Sequence, residues 1–222
     1  VLRLSLPDPT TLLAEFDGGE LRVLSSAVLG GGIGPARAWL NVTVAHDYAR
    51  TDPAADLAER AALLRLRGPV VGMLTAAQVS AHEHRGHGCA NAVATVGVGH
   101  ALAAAGTRPR ALPGAGTINL LVVDDARLDD AALAGAAQTA VEAKAQALAA
   151  ARVPAANAAG FATGTATDAF AIACLPGGGV RFAGPATRVG ADIARAVYEA
   201  VRAGALADRA GTGVRERERA RS

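Results

Sequence analysis

The sequence predicts an α+β fold: a single domain with a mixed, largely antiparallel sheet covered by long helices. Three observations lead there. Short apolar runs that read as strands outnumber helical stretches and do not alternate strictly with them, which disfavours a doubly wound parallel sheet. Two segments, 129–150 and 189–205, are rich in strong helix formers. Finally, 222 residues without a Pro/Ser-rich linker suit one core. The domain is placed at 1–210, and 211–222 (GTGVRERERARS) has no apolar face to bury and reads as a disordered tail.

In chain order, residues 1–6 and 12–24 read as strands, the second a hairpin turning at Asp17, Gly18 and Gly19. A strand over 38–44 follows the glycine cluster 30–34. Asp52 as N-cap and Pro53 at the first helical position open a helix over 53–67. Further strands fall at 70–75, 92–98, 117–123 and 169–175, and a turn follows at 176–179. The 117–123 run is apolar on both faces, as a covered central strand is. The uncharged run 86–107 has the length of a membrane span, but it contains His87, Asn91, His100 and several glycines. It reads as a buried strand followed by a short helix or turn. The helix over 129–150 opens on Asp129 and Asp130. At about 100° per residue, Leu133, Ala137, Ala140, Val141 and Leu148 form one stripe with Lys144 in its middle and Glu142 opposite. Aromatic residues make up 3% of the chain, so the core is expected to be tight and built from small side chains.

A net charge of +2 with interleaved signs gives no footprint for nucleic acid. Two cysteines are too few for a disulfide framework, and the start shows no basic, apolar and small-residue succession, so a cytoplasmic protein without membrane attachment is expected. A homo-oligomer remains open.

Chemistry concentrates in residues 161–175, FATGTATDAFAIACL, where hydroxyls and one carboxylate lead into an apolar strand. If the run is extended, Thr163, Thr165 and Thr167 share one face and Asp168 takes the other. Such hydroxyls serve a polar ligand or an activated nucleophile; the alternative is a Thr-rich turn bonding its own backbone. Lys144 either snorkels from the core's edge or turns its charge to a site at the sheet's end. Asn119, near the start of its strand, can point an amide out of the sheet edge. The strongest rival is zinc chemistry at His82, His84, His87 and Cys89, because imidazole and thiolate are good zinc ligands. Their spacing matches neither HExxH nor a zinc finger, and Gly86 and Gly88 suggest a surface loop. The cluster GGGIG lacks the phosphate-loop signature and is followed by Pro35 and a strand-like run.

Seven stretches, VLSSAVLGGG (23–32), LNVTVAHDY (40–48), VGMLTAA (71–77), VATVGVGHALAAAG (93–106), GTINLLVV (116–123), TAVEAKAQAL (139–148) and ATGTATDA (162–169), together resemble the adenosylcobinamide amidohydrolase family of corrinoid salvage. Their order and spacing carry the resemblance, GTIN, then EAK, then TGTxTD above all. Where relatives often carry Asn before Ala in the fourth stretch, this chain has His100. The resemblance implies hydrolysis of the amide joining an aminopropanol arm to the corrin ring, releasing adenosylcobyric acid, with the corrinoid as substrate and no required cofactor. On these motifs Gly31, Gly32, Asn41, Thr75, Thr117 and Asn119 are candidates for substrate contact. Amide hydrolysis needs an attacking oxygen, a base, an oxyanion site and a proton for the departing amine. Asp168 can activate water or a threonine hydroxyl, Lys144 and Asn119 can face the oxyanion, and Thr163, Thr165 or Thr167 can act as nucleophile. The alternatives are a non-catalytic corrinoid-binding module, which would need no activated oxygen, and a zinc hydrolase working through the histidine segment.

Overall fold

Period-two alternation builds the architecture, because nearly every central strand of the computed structural model is apolar on both faces and must be covered twice. The structure describes residues 2–45, 47–106 and 116–219, with the side chains of the last helix described through residue 211. In chain order the elements are β1 (Leu2–Asp8), β2 (Thr11–Phe16), β3 (Leu21–Ser25), β4 (Gly32–Ala36), β5 (Ala38–Thr43), α1 (Pro53–Leu63), β6 (Val70–Thr75), β7 (Glu83–His87), β8 (Ala90–Val96), β9 (Ile118–Asp124), α2 (Asp130–Ala150), β10 (Ala169–Cys174) and α3 (Arg188–Arg219). The class is α+β, as expected, but the strands form two sheets, ordered β1-β2-β5-β6 and β4-β3-β10-β9-β8-β7. Each sheet is mixed and contains one parallel pair joined through a helix, β5-α1-β6 and β9-α2-β10.

Three apolar clusters show four layers. Leu13, Leu40 and Val42 of the first sheet pack on Leu57 and Ala61 of α1. Its opposite face, with Leu12, Trp39 and Met73, meets Val93, Leu121 and Ala171 of the second sheet. The far face of the second sheet, with Ala92, Leu120 and Ile172, lies under α2 and α3. The small-residue core is realised here: α2 buries Ala132, Ala136, Ala140, Ala143 and Ala147 against that sheet and α3. Both helix starts follow their signals, since the Asp52 and Asp129 side chains accept from the backbone N–H groups of Ala55 and Ala132 at 2.9 Å.

Several expectations change. The 12–24 segment is not a hairpin: β2 and β3 leave the Asp17–Gly19 turn into different sheets, with Gly18 and Gly19 at φ 95° and 118°. Leu12, Ala14, Leu21 and Val23 all face the space between the sheets, so a corner buries them where a flat hairpin would not. Part of the glycine cluster is an edge strand, β4. The first helix stops at Leu63, four residues early, where Arg65 takes a left-handed backbone at φ 55°. On α2, Val141 is exposed, and the buried face runs through the alanines. The last helix, α3, is described to Arg219, and 220–222 lie outside the described residues. Among the described residues, no helix is long and apolar enough to cross a membrane.

Candidate active site

The parity of β10 decides which groups meet. Ile172 and Cys174 face the helical layer, and Ala171 and Ala173 face the other sheet. Asp168, just before the strand and even-numbered like the first pair, therefore turns towards α2, where Lys144 forms an ion pair with its Oδ2. Their side chains are 12% and 15% exposed, so Lys144 ends in a contact at the sheet's end and does not reach into bulk water. The Asp168 carboxylate is held by three more donors: the backbone N–H of Ile118 at 3.0 Å, the backbone N–H of Thr165 at 3.1 Å, and the Thr165 hydroxyl on Oδ1.

The three threonines do not form one extended face. The 161–168 segment turns, and each hydroxyl goes its own way. Thr163 Oγ1 accepts from Ala104 N–H at 3.0 Å and ties down the preceding loop. Thr167 Oγ1 donates to Gly116 O at 3.1 Å and lies 2.8 Å from Thr117 Oγ1, locking the start of β9 to this turn. Of the three, the Thr165 hydroxyl is the one directed at the carboxylate, and Thr165 is half-buried. A hydroxyl donating to a carboxylate that is itself oriented by an ammonium is the arrangement of an activated oxygen nucleophile.

Gly164 makes this arrangement possible. A Cβ there would collide with Asp168 Oδ2 and lie 2.8 Å from Lys144 Nζ. The sequence offers one hint of it, a glycine between two threonines in an otherwise side-chain-rich turn. We expect Gly164→Ala to fold and to lose at least about tenfold in turnover, because displacements near 1 Å at a reacting group cost up to about 10²-fold. Steady-state kinetics beside a melting curve checks this, and wild-type kinetics would show that the pair can shift freely.

Asn119 is separated from Lys144 by the sheet itself. It points between the sheets, is 0% exposed, and spends both amide hydrogens on Asn41 Oδ1 (2.8 Å) and Leu74 O (2.9 Å). Asn41 in turn donates to Thr95 Oγ1 at 2.9 Å. This chain joins the two sheets at the site end, a structural task that leaves Asn119 no donor for an oxyanion. Thr75 is buried at the end of β6, where its Oγ1 accepts from Ala77 N–H at 3.0 Å. Gly31 and Gly32 are not brought to the pair: Gly31 abuts Ala27 O, and Gly32 pairs with Ser25 on the far side of β3. The link from that loop is Ser26, whose Oγ accepts from Phe170 N–H at 3.1 Å.

The histidine segment is the edge strand β7, with His82 just before it and Cys89 in the turn after it, in place of the surface loop expected. His84 and His87 sit three positions apart on a strand and so face opposite ways. His82 contacts Val79 O, His84 contacts Asn91, and His87 contacts Asp192. Cys89 lies 3.3 Å from both Asp124 and Asp192, and burial with these two carboxylates pushes its thiol up to about 12. Among the described residues, no group of three His, Cys, Asp or Glu side chains is arranged to hold a metal ion. Replacing His82, His84 and His87 together by Ala is expected to leave most turnover intact; inactivation with stoichiometric zinc in the wild-type protein would restore the metal reading.

Fold and site together define an α+β protein that gathers a carboxylate, an ammonium and a hydroxyl at a sheet end, the class of arrangement suited to acyl transfer. The sequence profile of the adenosylcobinamide amidohydrolase family matches residues 5–213. The chain belongs to that family. An adenosylcobinamide amidohydrolase of Halobacterium salinarum is 46% identical over 102 residues, which cover 44% of this chain and 40% of that relative.

Proposed function

We propose that this protein hydrolyses the amide joining aminopropanol to the corrin ring of adenosylcobinamide, giving adenosylcobyric acid for corrinoid salvage. The observation that carries this reading is the Thr165–Asp168–Lys144 contact chain at one end of the second sheet, in a chain of this family. Thr165 Oγ1 attacks the amide carbonyl carbon as its proton passes to Asp168. The C–N bond breaks, the amine leaves with that proton, and water then cleaves the threonyl ester to the free acid. Lys144 keeps two further N–H donors beyond the one it spends on Asp168, and these stabilise the negative charge on the carbonyl oxygen. Thr117, Thr163 and Thr167 shape the turn around them.

The reaction as written needs water alone, without nucleotide or metal, and its compartment is the cytoplasm, a reading supported by the free thiols of Cys89 and Cys174. Incubation of the purified protein with adenosylcobinamide is expected to yield adenosylcobyric acid and 1-aminopropan-2-ol by mass, with no added nucleotide. Binding without turnover would support a corrinoid-binding module instead. Lys144→Met retains the apolar stem and removes the charge. It is expected to lower kcat with little change in fold; wild-type kcat in a folded variant would return Lys144 to a packing role.

A further inference from the structure

At the opposite end of the first sheet from Asn41 and Thr75, a cavity of about 330 Å³ opens between the β1-β2 pair, the start of β5 and the segment after α1. Four arginines line it, Arg3, Arg37, Arg65 and Arg67, against two carboxylates, Glu15 and Asp17. Phe16 and Leu66 contribute apolar wall. Six residues of β5 at about 3.3 Å each put about 17 Å between this cavity and the site end of that strand.

We propose that this cavity is a second, anion-binding site for a phosphate-bearing small molecule, independent of amide hydrolysis. Like charges from three chain segments repel unless something answers them. Arg3 is answered by Glu15 at 2.9 Å and Arg37 by Glu20 at 3.3 Å, each through a single nitrogen–oxygen contact. Arg65 and Arg67 make no ion pair among the described residues.

Two backbone features aim these groups. Arg65 holds a left-handed φ of 55°, a position that glycine usually fills after a helix, so its side chain projects from a tight cap. Gly68, at φ 84°, leaves the space along which the Arg37 stem lies: a Cβ there would sit 2.7 Å from Arg37 Cδ. The carbonyls of Arg60, Ala61 and Ala62 at the end of α1 accept from Leu64, Leu66 and Arg65 N–H groups at 3.1, 3.0 and 2.9 Å, and the arginines must outweigh the negative end of that helix's dipole. Arginines supplied by three chain segments suit a tetrahedral dianion with three free oxygens better than a planar carboxylate with two.

Calorimetric titration of the full chain with inorganic phosphate, AMP and succinate tests this, at about 0.1 M salt where the Debye length is about 10 Å. Saturable binding of phosphate or AMP, each tighter than succinate, is expected. AMP tighter than phosphate identifies an ester as the occupant, and equal affinity identifies the free anion. Arg65→Gly combined with Arg67→Gln removes the two unanswered charges at positions that tolerate the change, since glycine is at ease at φ 55°. This variant should melt no lower than wild type, keep the wild-type rate on adenosylcobinamide, and bind phosphate at least tenfold more weakly. Absence of saturable binding by the wild-type protein, equal binding of succinate, or undiminished binding by the variant would overturn the proposal.

Discussion

Asp168→Asn is expected to lower turnover by about 10²- to 10⁴-fold, the usual contribution of a general base, while corrinoid binding persists. Asn retains the shape but cannot take a proton from Thr165 Oγ1. The structure adds a second consequence. Among the described residues Asp168 meets only donors, namely Lys144 and the Ile118 and Thr165 N–H groups besides the Thr165 hydroxyl, so the new NH₂ must face at least one of them. A stability loss of about 1–3 kcal/mol therefore accompanies the rate loss. Single-turnover rates measured well below the melting temperature separate the two, because a folded, corrinoid-binding variant with near-normal chemistry would remove Asp168 from the mechanism.

Thr165→Ala should be nearly as damaging, and Thr165→Ser should recover much of the rate. A nucleophile and its base act as a unit, so the Thr165→Ala, Asp168→Asn double variant is expected to be little worse than either alone. The backbone N–H of Thr165 still reaches Asp168 in the alanine variant, so the turn keeps that anchor. Quenched reactions of the wild-type protein should show a corrinoid ester on the peptide carrying Thr165. If Thr165→Ala stays within about tenfold of wild type, Asp168 activates water directly and the covalent route fails.

How much of this was legible beforehand differs from residue to residue. Asp168 and Lys144 were singled out in the sequence, one as the lone carboxylate of its run and the other as a charge on an apolar stripe, and they do meet. The choice among three threonines was not legible. Period-two reasoning put Thr163, Thr165 and Thr167 on one face, whereas the segment turns and separates them. Asn119 shows the same limit. Its place near a strand start was clear, but which side of the sheet it faced depended on register against β8 and β10.

By itself the sequence determined what is local: the helix starts at Asp52 and Asp129, the strands around residues 38–43, 70–75 and 118–123, the small-residue packing of α2, and the α+β class. These follow from capping, periodicity and propensity, which act over a few residues. Only the tertiary structure decided that the strands split into two sheets, that β2 and β3 part at their turn, and that His84 and His87 lie on an edge strand facing apart. It also decided that Gly164 must lack a side chain, because the atoms that would collide with one belong to Lys144 and Asp168, and the ammonium arrives from a helix 20 residues earlier in the chain. Burying apolar strand faces twice fixes those pairings, and that demand is felt by the whole chain at once.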